Sequence, residues 1–273
     1  MTGRPSTHAD PRHLARVAAW RDRVARSYRP LHAELATLEP EMLAPSFVDA
    51  LRDGRPEALT DVLVDLGSEL YEVEVFTPEW CAALLEEVDH FEAWADAEGL
   101  EIPRPNSMNR YGAIVDDFGL QPSVRRLVVE GLRPFAALLY PEVGGASLDD
   151  HHAFVVEYAP GKDTSLDFHV DDSEVTLNLC LGEEFEGGTL YFRGRRCWLH
   201  VDSDGSAADE VDVVHRPGVA ILHAGKHRHG ARVVRRGRRR NLIVWCRSTV
   251  FRAWERDQPA DVCPDWCRRS RAR

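Results

Sequence analysis

His169-Val170-Asp171 sets an imidazole and a carboxylate two residues apart, and on an extended strand that spacing points both side chains to one face. Both can then reach one cation. A further imidazole would complete a facial set of two histidines and one carboxylate, which leaves positions open on a non-haem Fe(II) for a co-substrate and oxygen. The pair by itself recurs by chance in many chains, so the third donor decides its worth. Pro217 to Gly230 carries three candidates, His223, His227 and His229, around a glycine-containing turn at the end of an apolar run. Spacing does not separate His227 from His229, because both lie on one side of an extended segment. If no third donor converges, the bland reading is a non-catalytic β-barrel binding module in which His169 and Asp171 merely hydrogen-bond each other.

Two further runs bear on that site. Val175 to Cys180 alternates so that Thr176, Asn178 and Cys180 share one face and Val175, Leu177 and Leu179 the other. Polar residues on a face that should be interior point to a lined cavity rather than a dry core. The run Arg235 to Arg240 then leads into the apolar segment Asn241 to Cys246. Most of these arginines read as a solvated hairpin turn around Gly237, but Arg239, Asn241, Ile243 and Trp245 share a face. One guanidinium entering the cavity would grip a carboxylate through two parallel hydrogen bonds, as a dicarboxylate co-substrate requires.

The elements that must position these groups are strands. From His152 the chain shows short β-rich runs at His152–Tyr158, Asp167–Asp171, Glu174–Leu181, Thr189–Arg193, Val211–His215, Val219–His223, Ala231–Arg235 and Asn241–Ser248. With no helical gaps between them, antiparallel pairing in a sandwich or double-sheet jelly roll is expected. Before them, helical spacing is expected from Pro11 to Arg26 and in two stretches between Ser46 and Leu66. A half-buried strand follows at Tyr71–Phe76. Thr77 caps the next helix, which carries Trp80, Leu84, Val88 and Phe91 on one stripe and ends at Gly99; another helix runs from Ser123, bent at Pro134. The fold class is therefore α+β, with helices packed on one sheet. The expected division is a helical region over 1–70, a β domain with supporting helices over 71–252, and a charged tail over 253–273.

Composition excludes several classes. With 34 basic against 45 acidic side chains the net charge is -11, which repels nucleic acid and anionic membranes. No run approaches the ~20 apolar residues of a membrane span, and Met1 to Pro11 is polar, so a cytoplasmic location is expected. Six scattered cysteines are not a disulfide framework. Cys263 and Cys267 have the spacing of half a zinc site, but with no partner pair evident nearby they read as a reduced surface pair.

The chain resembles the 2-oxoglutarate and Fe(II)-dependent oxygenases, in the branch with prolyl and lysyl hydroxylases, through Pro105–Gly112, Phe154–Gly161, His169–Asn178, Glu186–Gly188 and His229–Trp245. The closest likeness is to the 2-oxoglutarate and iron-dependent oxygenase domain-containing proteins. The resemblance implies a double-stranded β-helix core with Fe(II), 2-oxoglutarate and O2, and ascorbate as an accessory reductant. It implies iron ligands at His169, Asp171 and a distal histidine, with a basic residue ten positions later on the co-substrate; Arg239 stands ten after His229, selecting His229. Tyr158 matches a tyrosine that donates to the co-substrate, with Asn178 and Thr176 beside it, and Asn109, Tyr111 and Trp245 are candidate substrate contacts. The implied reaction hydroxylates an unactivated C–H bond of a peptidyl or free amino-acid side chain, with succinate and CO2 released. A nucleic-acid dealkylating oxygenase is the rival within the superfamily, and the overall acidity opposes it. Neither the substrate nor the oligomeric state is legible.

Overall fold

The computed structural model describes residues 11–203, 207–258, 263–264 and 267. Residues 1–10, on which most of the polar N-terminal reading rests, and most of the expected charged tail lie outside them. The helices are α1 (Pro11–Ser27), α2 (Pro45–Asp53), α3 (Pro56–Asp61), α4 (Pro78–Ala97), α5 (Gln121–Arg126), α6 (Arg133–Leu139) and α7 (Thr249–Asp257). The strands are β1 (Val64–Gly67), β2 (Leu70–Glu74), β3 (Gly112–Ile114), β4 (Asp150–Tyr158), β5 (Leu166–His169), β6 (Val175–Gly182), β7 (Phe185–Gly187), β8 (Leu190–Arg195), β9 (Glu210–Val213), β10 (Val219–Ala224), β11 (His227–Ala231), β12 (Val234–Gly237) and β13 (Arg239–Arg247). They form a seven-stranded sheet ordered β1-β2-β10-β6-β13-β4-β3, a four-stranded sheet ordered β5-β11-β8-β9, and the small β12-β7 ribbon. All pairings in these sheets are antiparallel. The double-sheet, α+β architecture expected from the strand texture is present.

The large sheet separates two environments because its strands alternate. Val175, Leu177 and Leu179 of β6 and Leu242 and Val244 of β13 join the main apolar core, together with Trp80, Leu84, Val88 and Phe91 of α4. That stripe is buried along its length, and Thr77 starts the helix by accepting the Trp80 N–H at 3.2 Å. Burying each of these side chains contributes roughly 1.5–3 kcal/mol. The helices thus cover one face of the sheet, leaving its other face to the smaller sheet. Leu70 and Ile221 of the large sheet meet Leu190, Phe192 and Val213 of the small one in a dry patch. Beside it the sheets part around polar residues.

Several sequence expectations need correction. Three short strands, β1, β3 and β7, were not expected, since three or four residues show no readable period without a partner. The single run Ala231–Arg235 is instead the junction of β11 and β12. Asp171 is not on a strand: β5 ends at His169, and the Asp171 N–H donates to the Gly225 carbonyl at 2.9 Å. The helix after Ser123 does not simply bend at Pro134; it carries a π-helical segment at Leu127–Leu132 just before that proline, whose missing N–H and ring disfavour a regular turn there. Nor are Cys263 and Cys267 a surface pair: Cys267 is buried and Cys263 partly so.

Candidate active site

The strand register brings the histidines together. β5 and β11 pair so that His169 and His229 face each other across the ladder, with ring centroids 4.3 Å apart. Directly opposed residues on one face of an antiparallel pair have Cβ atoms about 5 Å apart, so both rings lean over the same spot. The Asp171 carboxylate enters from the loop after β5, with Oδ1 3.5 Å from His169 Nε2 and Oδ2 3.7 Å from His229 Nε2. One donor atom from each of the three lies within 4.8 Å of the others. Spacing left His227 and His229 unseparated and the resemblance selected His229; the geometry also separates them, since His227 Nε2 accepts the Gly194 N–H at 3.1 Å while His229 joins His169 and Asp171. An irregularity in the β11–β8 register lies between the two residues. His223 is fully buried behind the cluster, with Nε2 3.9 Å from Asp171 Oδ2.

Backbone carbonyls select the imidazole tautomers. His169 Nδ1–H donates to the Asp167 carbonyl at 2.7 Å and His229 Nδ1–H to the His227 carbonyl at 2.8 Å. A carbonyl only accepts, so each Nδ1 carries a proton and each Nε2 is the nitrogen left facing the centre; burial opposes the charged form of His169, but Asp171 beside it raises its pKa, so a metal ion would displace a proton there. Asp171 is held in turn by Thr176, whose hydroxyl donates to Oδ2 at 2.7 Å, and Thr176 pairs with Ser173 at 2.7 Å. Burial alone would raise the Asp171 pKa, but His229, His169 and His223 outweigh it and hold the carboxyl well below its usual range. Burial pushes the His229 pKa down to about 3, so its ring is neutral. Two imidazole Nε2 atoms and an ionised carboxylate converging on one point suit Fe(II), so the residues present fit the metal that the resemblance implies.

The cluster forms one wall of a cavity between the two sheets. Arg239, Asn241, Ile243 and Trp245 of β13 line it together with Thr176 and Asn178 of β6 and Phe154 and Tyr158 of β4, as the alternation of those strands requires. Arg239 is 1% exposed, its guanidinium lies 5.7 Å from the Tyr158 ring and 5.9 Å from that of Phe185, and its Nε and Nη1 have no hydrogen-bond partner. Among the described residues its one side-chain hydrogen bond is Nη2–H to His215 Nδ1 at 3.3 Å, and no carboxylate pairs with it. Three other arginines of that run are engaged elsewhere: Arg238 pairs with Glu157 at 2.7 Å, Arg240 with Asp89 at 2.7 Å and Glu183 at 2.8 Å, and Arg236 with Glu186 at 3.2 Å. A buried guanidinium without an acid is costly unless an anion reaches it.

Around that cation the polar groups form a chain. His215 Nε2–H donates to the Val219 carbonyl at 2.8 Å, leaving Nδ1 to accept from Arg239 and, at 3.0 Å, from Asn241 Nδ2. Asn241 Nδ2 also donates to Asn178 Oδ1 at 2.6 Å. Tyr158 OH accepts from Asn109 Nδ2 at 3.0 Å, and burial raises its pKa, so the phenol keeps a proton to donate. Asn109 is itself set by an Asn106 turn, in which Asn106 Oδ1 accepts the Met108 and Asn109 N–H groups, each at 2.7 Å. Trp245 packs edge-on to Phe154 with its Nε1 unpartnered. Tyr111 does not reach the cavity wall; its ring lies under Lys162, 5.5 Å from Nζ. Sequence reasoning missed His215, placed at the end of a strand and given no role. It also missed Gly225, where an added Cβ would fall 2.1 Å from the Ser173 carbonyl.

Comparison with known proteins bears on this geometry. Residues 150–248 match the 2OG-Fe(II) oxygenase superfamily and residues 24–145 the OGFOD2-like domain. Over 240 residues the chain is 46% identical to the 2-oxoglutarate and iron-dependent oxygenase domain-containing protein ICU11 of Arabidopsis thaliana, covering 88% of this chain and 60% of that protein. Over 260 residues it is 39% identical to 2-oxoglutarate and iron-dependent oxygenase domain-containing protein 2 of Homo sapiens, covering 92% and 70%. The chain thus spans about three-fifths of the length of the plant relative. A solved prolyl 4-hydroxylase structure from Phytophthora capsici shares the fold at a TM-score of 0.50 and 17% identity, over 82% of this chain and 73% of that one.

Proposed function

Because the chain belongs to the 2OG-Fe(II) oxygenase superfamily, as a relative of the 2-oxoglutarate and iron-dependent oxygenase domain-containing proteins, we propose that it hydroxylates an unactivated C–H bond of a peptidyl or free amino-acid side chain. 2-Oxoglutarate and O2 are consumed, and succinate and CO2 released. His169, Asp171 and His229 hold Fe(II), which supplies the site for oxygen activation coupled to decarboxylation of the co-substrate. Residues 71–252 are the catalytic unit, with the region before residue 71 and the tail over 253–273 as accessories to it. Ascorbate is its accessory reductant, and the cytoplasm is its location.

Each remaining role falls to a group already in position. Arg239 binds the distal carboxylate of 2-oxoglutarate through its two unpaired N–H groups, and Tyr158 donates its phenolic proton to the same oxygens. Neutral His215 supports the guanidinium without adding a like charge; burial and Arg239 together push its pKa down to about 3. Thr176 orients the Asp171 carboxylate, while Asn178 and Asn241 fix the polar floor. Trp245 and Asn109 line the part of the cavity left for substrate, and the buried wall excludes water from the reacting carbon. The observation that carries this reading is Arg239, a buried cation without an acid, in the cavity that also holds two histidines and a carboxylate. Arg236, Arg238 and Arg240 each pair with an acid of the chain, and the net charge of -11 opposes a nucleic-acid backbone.

Anaerobic addition of Fe(II) and 2-oxoglutarate should produce the visible charge-transfer band of the chelate. Succinate release should then be stimulated by members of a peptide and amino-acid library. His169→Ala should abolish the band. Arg239→Ala should leave iron binding and weaken 2-oxoglutarate affinity by about 30-fold or more, the cost of leaving a charge pair unmade at roughly 2–5 kcal/mol. An unchanged co-substrate affinity in that variant would move the anchor elsewhere.

A further inference from the structure

We propose that Cys197, His200, Cys263 and Cys267 form a second metal site that holds a structural zinc ion. Four donor atoms, three thiol sulfurs and one imidazole nitrogen, lie within 4.8 Å of one another. Cys197 Sγ is 3.2 Å from His200 Nδ1 and 3.7 Å from Cys263 Sγ. The same Nδ1 is 3.5 Å from both Cys263 Sγ and Cys267 Sγ. A tetrahedral zinc with bonds of about 2.3 Å to sulfur and 2.0 Å to nitrogen has edges of about 3.8 Å between sulfurs and about 3.5 Å between sulfur and nitrogen. The four separations follow that figure. The 3.7 Å between Cys197 Sγ and Cys263 Sγ is far from a disulfide, which needs about 2.0 Å.

The donor chemistry is distinct from that of the oxygenase cluster. Three thiolates and an imidazole with no carboxylate suit zinc, whereas two imidazoles and a carboxylate suit Fe(II). Four protein donors close the coordination sphere, which is the mark of a structural rather than a catalytic ion. The Cys197 N–H points at Cys267 Sγ at 3.5 Å, a backbone donor that would stabilise a metal-bound thiolate. The chain supplies the ligands as two local pairs, Cys197-x-x-His200 and Cys263-x-x-x-Cys267, each with the spacing of half a zinc site.

The placement gives the ion a task. Cys197 and His200 follow β8, which pairs with β11, where Arg195 stands opposite His227, two residues before His229. Cys263 and Cys267 follow α7. Zinc binding therefore clamps the segment after α7 onto the loop behind the strand pair that carries the active-site histidine. The binding free energy enters directly as stability of that junction.

The test uses the full chain, purified without added metal, as wild type, as His169→Ala/Asp171→Ala, and as Cys263→Ser/Cys267→Ser. Elemental analysis after dialysis against a weak chelator should find stoichiometric zinc in the wild type and in the His169/Asp171 variant, and loss of it in the serine variant. Cobalt substitution of the His169/Asp171 variant should show thiolate-to-cobalt charge transfer and strong tetrahedral ligand-field bands. Should the serine variant fail to fold, a mercurial titration of wild type followed with a chromogenic zinc indicator answers the same question, with zinc release tracking thiol modification. Wild type without zinc, zinc retained by a folded serine variant, zinc release independent of thiol modification, a cobalt spectrum lacking thiolate bands, or a disulfide among these cysteines would each overturn the proposal.

Discussion

At the scale of single residues, the site depends on groups that never touch the reacting atoms. Thr176 donates to Asp171 at 2.7 Å and is itself bonded to Ser173, so its hydroxyl holds the carboxylate with Oδ1 toward His169 and Oδ2 toward His229. Thr176→Val keeps the shape and removes that donor. Loss of such a ligand-orienting bond costs about 10–100-fold in metal affinity, so Fe(II) titration followed by the charge-transfer band should shift by that factor while 2-oxoglutarate affinity stays within a few-fold. Equal affinities in variant and wild type would mean that the backbone alone orients Asp171.

At the scale of elements, the decisive contact is the approach of two loops. The turn between β10 and β11 carries Gly225, whose carbonyl accepts the Asp171 N–H at 2.9 Å and whose N–H donates to the Glu174 carbonyl at 2.9 Å. A side chain there meets the Ser173 carbonyl, carbonyl carbon and hydroxyl within 2.7 Å, and backbone cannot yield as a flexible side chain does. Gly225→Ala should therefore displace the Asp171 loop and lower iron affinity by at least tenfold without altering any donor atom. Circular dichroism should show the sheets intact. A variant with wild-type iron affinity would show that the loop tolerates the shift.

For the molecule as a whole, burying neutral histidines between the sheets makes stability depend on pH. Burial and Arg239 push the His215 pKa from an ordinary 6.5 down to about 3. The unfolded chain therefore binds a proton that the folded chain refuses across that window. Stability from this residue is fully present above about pH 6.5 and is lost as pH falls toward 3, at no more than about 1.4 kcal/mol per pH unit for one proton. Urea midpoints should fall on acidification, and His215→Asn should be less stable at neutral pH but show a shallower slope between pH 6 and 4. Identical slopes would place the acid sensitivity in other groups.

The residues by themselves determined which side chains could do chemistry and which of them share a face, because strand alternation is a local property of the backbone. The cavity face of β13, with Arg239, Asn241, Ile243 and Trp245, and the polar face of β6 are both legible in the order of residue types. So is the buried stripe of α4 with its Thr77 cap. Strand spacing did not reveal which histidine joins His169 and Asp171, and only the resemblance singled out His229, since the choice depends on the register of β11 against β5 and β8 and on where the Gly194 N–H points. It also hid His215 beneath Arg239 and the meeting of Cys197 and His200 with Cys263 and Cys267. Those contacts join segments from 24 to 70 residues apart, and only tertiary packing decides which distant side chains share a point in space.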